Sequence, residues 1–441
     1  MADRLSGVES RVMAIHQAKS ALYFVVSDFE RSRQAAERAR ALARDAGDPT
    51  REGVALAAMA WAATWARDLD GAVAHARQAI DVAEPVSADA VLARAQFTIG
   101  FVRGVTGVLD EAKRAVEYAL AASRSGGDMV HHSLSLSMAG LIKTWEADFA
   151  AADQLQIEGL SIAREHNLMM PLLFSAFMRG LTLTGKGDYS TALSTFHEGL
   201  ELSEKVGDEV IHHRLLNCLG WLHFELGDFD GAAELNGRSA EGGRRRNDPG
   251  TLPNAELNLG DIALGRGDLT LAGEMLDCVE RFARDPATSA WMRFRYSIRL
   301  YASLGELALA RGDLEQAAAH ARHCLELAAR TNARKNLVKG WRLTGEVASA
   351  GHRWQEAEHA LGEARKIAET IGNPTQLWRT HAALARLHAA QGREDAARRA
   401  AGDAARVIDG VLGGLSDPDL RVSFERLALV REVRARMAGR V

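Results

Sequence analysis

The chain has 441 residues, of which 47% are hydrophobic and 25% charged, and 54 Lys and Arg against 58 Asp and Glu leave a net charge of −4. That composition excludes a disordered or fibrous chain and a general polyanion binder. Three cysteines (Cys218, Cys278 and Cys324) exclude a disulfide framework and a Cys-x-x-Cys metal site, and fit a reducing compartment.

Read from the N-terminus, Met1 to Gly7 shows no secretory leader. The longest apolar run, Val54 to Ala63, is ten residues, where a membrane span needs about 20. A soluble, cytoplasmic, all-α protein is expected, because Ala, Leu, Arg and Glu dominate and no stretch alternates like a strand. A turn signal recurs with its second position at Asp28, Asp68, Val108, Asp148, Asp188, Asp228, Asp268, Asp313, Arg353 and Arg393. The interval is 40 residues throughout, except for one of 45. Seven residues before the glycine-type turn lies a small residue such as Gly100, Gly180 or Gly220, and a second small column runs through Ala72, Ala112 and their successors. Facing small columns let two helices approach closely. A second turn column lies about halfway between: Gly47, Ser87, Gly127, Asn167, Gly207, Asn247, Ala287, Asn332 and Gly372. Most of these are residues that close a helix in the left-handed conformation.

The pattern predicts ten helix pairs over residues 1–415, with the five extra residues near Arg284 to Thr288. One capping helix is expected over 416–441, apolar at Leu420, Phe424, Leu427, Val430 and Met437. The first repeat has no matching cap, so that end is expected either to pack on something else or to mark a cut from a longer chain. A linear array predicts that damage at the C-terminal cap stays with its neighbours.

Leu219-Gly220, Gly227-Asp228 and Ala232 resemble the tetratricopeptide repeat, as do Leu259-Gly260 with Gly267-Asp268 and Ala272, and Leu304-Gly305 with Gly312-Asp313 and Ala317. The resemblance implies a right-handed superhelical solenoid. The 40-residue period and the ending Asp417-Pro418-Asp419-Leu420-Arg421 are similar to the repeat regions of bacterial multidomain signalling ATPases, transcriptional activators and nucleotide cyclases. In this family the first helix of each pair lines a groove. That assigns Trp61, Trp65, Phe97, Phe101, Leu141, Trp145, Phe174, Phe177, Leu181, Trp221 and Phe224 to an aromatic half. Asp261, Arg299, Glu306, Lys339, Arg342, Glu346, Arg379 and Arg386 form a charged half. Asn217 with Trp221 stands where chaperone-tail binders carry a Lys-Asn clamp, and that activity is not expected.

Other constellations read as structure. Gly180 to Gly187 nearly spells a phosphate loop, but lacks its final Ser or Thr and follows no strand. The Asp column reads as helix caps. His132 and His212 fall two repeats apart, too far for one metal ion. Gly242-Gly243-Arg244-Arg245-Arg246 reads as a frayed helix end, or else a hinge or acidic-partner contact. No catalytic set, cofactor or metal site is expected. Two readings stay open: a non-catalytic protein-interaction or ligand-sensing scaffold, the repeat arm of a larger regulator, or a free-standing repeat protein binding a peptide or small molecule in the aromatic half-groove. A protein or peptide partner is expected first, a small molecule second, and neither nucleic acid nor membrane.

Overall fold

The computed structural model describes residues 7–25, 28–248, 250–285, 289–292 and 294–440. Among these no strand occurs, and helices follow one another as hairpins, from Gly7–Val25 with Phe29–Asp45 to Pro374–Ala390 with Glu394–Gly414. No described helix is long and apolar enough to cross a membrane.

The local reasons are those of the sequence columns. Asp28, Asp68, Asp188, Asp228, Asp268 and Asp313 each accept a hydrogen bond from the backbone N–H three residues on, capping the second helix of a pair. The second turn column is left-handed at Gly47, Ser87, Gly127, Asn167, Gly207, Asn247, Asn332 and Gly372. Ala287, and with it most of the expected insertion, lies outside the described residues. The helix before it ends at Arg284, and a four-residue helix, Ser289–Met292, precedes Arg295–Ala310.

The small columns set the packing. Ala72, Ala112, Ala152, Ala192, Ala232, Ala272, Ala317, Ala357 and Ala397 are all 0% exposed. Gly180 is a glycine because a Cβ there would lie 2.2 Å from the Phe196 ring. A Cβ on Gly220 would lie 2.3 Å from the Asn236 amide.

Two expectations are corrected. The C-terminal segment is two helices, Pro418–Arg426 and Ala428–Met437, not one, because Leu427 between them is extended at φ −52°, ψ 130°. The glycine-rich stretch is not frayed. Helix Phe229–Arg246 runs through it, since Gly242 lies beneath the His213 ring and Gly243 beneath the backbone of Leu252. Its arginines are paired, Arg244 with Glu256, Arg245 with Glu241 and Arg246 with Glu209.

The chain divides into two compact units: residues 1–142 with 155–175, and residues 143–154 with 176–441. In the second unit, residues distant in sequence meet. Asn373 donates to the Gly185 carbonyl at 2.6 Å, Tyr189 and Thr375 hydroxyls lie 3.2 Å apart, and Ser190 donates to the Gly414 carbonyl at 2.8 Å. Phe149 packs with Val338, Ala364, Ala368 and Ile371. The early helices of this unit therefore touch its last ones.

Candidate ligand-docking site

The predicted groove residues fall into two environments. In the first unit, Trp61 is the hub of an aromatic cluster. Its ring centroid lies 5.6 Å from those of Trp65 and Phe97, 5.5 Å from Phe101 and 6.5 Å from Phe174. Phe97, Phe101 and Phe174 are buried, whereas Trp61 and Trp65 are partly buried. Beside the cluster is an apolar cavity of about 450 Å³, walled by Phe24, Trp61, Phe97 and Met170, with Arg94 and His131 among its few polar neighbours. Asp128 engages both, at 3.3 Å from Arg94 and 2.9 Å from His131. Those contacts hold its carboxyl well below the usual range, against the opposing effect of burial. Leu141 is buried in this unit.

The second unit holds the remaining candidates. Leu181 is buried, Phe177 partly so. Trp145 is 8% exposed; its ring meets Phe294 edge-on at 5.4 Å and carries the Arg295 guanidinium at 5.4 Å. Trp221 donates its N–H to Glu225 at 3.1 Å and carries the Lys335 ammonium 4.6 Å from its ring centroid. Aromatic and charged candidates therefore share a wall here, because the unit's early helices pack on its late ones.

An asparagine ladder joins the first helices of repeats six and seven, with Asn236 of the second helix of repeat six between them. Asn217 donates to Asn236 at 3.0 Å, Asn254 donates to Asn217, and Asn258 donates to Asn236 at 2.9 Å. Arg299 closes the ladder, donating to Asn254 at 3.2 Å, Asn258 at 2.7 Å and Asp261 at 3.0 Å.

Two cavities adjoin these residues. The first, about 90 Å³, is lined by Trp145, Asn217, Trp221, Asn254, Arg295, Arg299, Lys335 and Lys339 among others. Cys218 also lines it, its thiol pushed up by burial to about 12 and so unreactive. The second, about 230 Å³, shares Lys339 and adds Phe224, Glu225, Asp261, Glu306, Arg342 and Arg379. Arg342 is buried and donates to Gln376 at 2.9 Å. Glu346 is partly buried, and burial raises its carboxyl above the ordinary value against the pull of Arg342. Arg386 is exposed and engaged with Glu432 of the C-terminal helices at 2.9 Å.

Asn254, Asn258, Phe294, Arg295 and Lys335 were not anticipated. Part of the signal was present: fourteen residues before the turn position stand Arg214, Asn254, Arg299, Lys339 and Arg379, a run of polar residues in a column that holds Val54, Arg94, Leu134 and Phe174 in earlier repeats. Lys186 of the near-phosphate loop lies in a helix and pairs with Asp153 at 3.0 Å. His132 and His212 each hydrogen bond a serine of the preceding helix at 3.0 Å. No group of three or more His, Cys, Asp or Glu among the described residues is placed to hold a metal ion.

Residues 298–331 match the tetratricopeptide repeat family. No curated protein sequence matches the chain. Among solved structures, the chain is similar to a Rap protein complexed with Competence and Sporulation Factor, with TM-score 0.61 and 13% identity over 82% of this chain and 99% of that one. Further likenesses are the apo form of RapI, with TM-score 0.48 and 13% identity over 82% and 97%, and a tetratricopeptide repeat protein from Parabacteroides merdae, with TM-score 0.40 and 16% identity over 64% and 96%. The likeness at TM-score 0.61 shows a shared fold, a solenoid of helical hairpins.

Proposed function

We propose that the chain is a non-catalytic docking scaffold whose second unit receives a short extended peptide along its inner face. The observation that carries this reading is the Asn217–Asn254–Arg299 ladder, which crosses the first helices of three successive repeats. Asn254 donates once and accepts once within the ladder, which leaves one amide hydrogen for a peptide carbonyl. Neighbouring helices stand about 8–10 Å apart, and an extended chain rises about 3.3 Å per residue. One side chain per repeat therefore meets about every third residue of an extended ligand. The Rap protein of similar fold was crystallised with Competence and Sporulation Factor, an analogy of fold that supports a docked peptide; separately, the 40-residue period supports reading the chain as the repeat arm of a larger cytoplasmic bacterial regulator.

The test is selection of linear peptides from a displayed random library on the full chain, followed by calorimetry. Selected peptides should bind Asn254→Ala and Arg299→Ala at least tenfold more weakly, by about 1.4 kcal/mol or more. Equal binding by both variants would sink the reading. The aromatic cavity of the first unit supports a second one, an apolar small molecule beside Trp61 and Phe97. It predicts that a fluorescent apolar dye bound by the chain is lost in Trp61→Ala and retained in Asn254→Ala.

A further inference from the structure

The apolar cavity of the first unit, about 450 Å³, lies where two columns of the repeat are truncated. Seven residues before the turn position, repeats two to six carry Trp61, Phe101, Leu141, Leu181 and Trp221, whereas repeat one carries Ala21. Eleven residues before it, repeats three and five carry Phe97 and Phe177, whereas repeat two carries Ala57. Ala21 and Ala57 both line the cavity, together with Trp61 and Phe97 of the same two columns. The space thus adjoins positions where neighbouring repeats place rings. An apolar cavity of about 150 Å³ left by a shortened side chain stays dry and takes benzene. This one is about three times that size and falls within the range of small-molecule sites, about 300–1,000 Å³.

The wall has little unmet polarity. Ser32 donates to the Ser20 carbonyl at 2.8 Å and Thr98 to the Arg94 carbonyl at 3.0 Å, so neither hydroxyl has a donor to spare. Arg94 is the one lining residue with a fixed charge, and Asp128 pairs with it at 3.3 Å. His131 engages the same carboxylate through Nδ1 at 2.9 Å. An anionic ligand would find the cation already engaged, and a cationic one would find no carboxylate on the wall. The rings are disposed for aromatic contact. Trp61 and Phe97 are inclined at 46° with centroids 5.6 Å apart, and Phe24 is inclined at 30° to Trp61 at 6.2 Å. A further ring beside them gains the edge and offset contacts that aromatic pairs favour, which a saturated group of the same size cannot make. Met170, also on the wall, adds a polarisable thioether that suits ring edges.

We propose that this cavity binds a neutral aromatic molecule of about two fused rings, whose rings stand in for the side chains that Ala21 and Ala57 lack. The inference rests on the apolar-ligand reading of the cavity and names the ligand's class: planar, aromatic and uncharged, rather than an acyl chain or an acid.

The test is calorimetric titration of the full chain at pH 7 with three probes of matched size. 2-Naphthol is neutral and aromatic, 2-decalol keeps the hydroxyl and the two rings but is saturated, and 2-naphthoate is aromatic and charged. 2-Naphthol should bind tenfold or more tightly than either of the others. Ala21→Trp and, separately, Ala57→Leu refill the truncated columns with residues that other repeats carry. Each should weaken 2-naphthol at least tenfold, and Ala21→Trp should do so without lowering the urea midpoint, because it fills space rather than displacing a neighbour. Equal affinities for 2-naphthol and 2-decalol, tighter binding of 2-naphthoate, no binding of 2-naphthol, unchanged binding in both variants, or a lowered midpoint in Ala21→Trp overturns the proposal. If the apolar dye is bound and is lost in Trp61→Ala while 2-naphthol binds no better than 2-decalol, the aromatic class falls and the apolar site stands. If dye binding survives Trp61→Ala, the apolar-ligand reading itself falls.

Discussion

Lys335 makes its environment measurable. The folded state releases its proton near about 7, whereas an unfolded lysine holds it to about 10.4. Above the higher value neither state binds the proton and there is no penalty. As pH falls toward 7 the unfolded state takes up a proton that the folded state does not, so stability falls; below 7 the penalty is complete and constant. Lys335→Met should therefore stabilise the chain, with a gain that grows from pH 10 to pH 7 and then levels off in urea midpoints. A gain independent of pH would return Lys335 to an exposed setting. At Trp145, burial makes alanine uninformative, since emptying so large a site costs about 3–5 kcal/mol. Trp145→Phe is the useful change: its N–H has no partner to lose, so the urea midpoint should move little.

At the scale of helices and turns, most of the structure was legible in the sequence, because caps and left-handed closures depend on neighbouring residues only. The turn column also holds residues that fit it badly. His352 is left-handed at φ 58°, where Gly227, Gly267, Gly312 and Gly392 occupy equivalent positions. A side chain there is strained by about 1–2 kcal/mol, partly offset by the greater freedom of an unfolded glycine. His352→Gly should raise stability by about 0.5–1 kcal/mol in thermal or urea unfolding, even after losing its edge contact with Trp354. Gly220 couples helix packing to the site, because the space above it is filled by Asn236, which holds Asn217 and Asn258. Gly220→Ala should cost about 1–3 kcal/mol through overpacking and weaken peptide binding as well. What the turn signals hid was helix integrity: Gly242 and Gly243 look like breakers in isolation, and only the partners above them, His213 and Leu252, show why a side chain has no room there.

Over the whole chain, the part that escaped sequence reasoning is the part without a period. Nothing in a 40-residue repeat says that Asn373 will bond Gly185 or that Ser190 will meet Gly414. The candidate site depends on those meetings, since Trp145 and Lys335 line one cavity only because the helices that carry them are brought together. The C-terminal helices take part: Phe424 packs against Trp378 at 6.0 Å, the Ser416 N–H donates to Ser190 at 2.9 Å, and Gly227 lies against Ser423 and Leu427. Deleting residues from Ser416 onward should therefore raise amide hydrogen exchange at two places, in repeat ten and around residues 185–230. Loss confined to repeat ten would restore the strictly linear array in which each repeat answers only to its neighbours.

The meeting of Asn373 with Gly185 also constrains ancestry and engineering. An open array tolerates duplication or loss of a unit, because every new copy finds the same neighbours. Here the number of repeats between the two partners is a fitted quantity. One more hairpin between repeats six and seven would carry Asn373 past Gly185 and Phe149 past Val338, and would leave the Gly185 carbonyl and an apolar seam uncovered. Such an insertion should fold locally yet separate the cations from Trp145, so repeat copy number in this unit can change only if the whole closure is rebuilt.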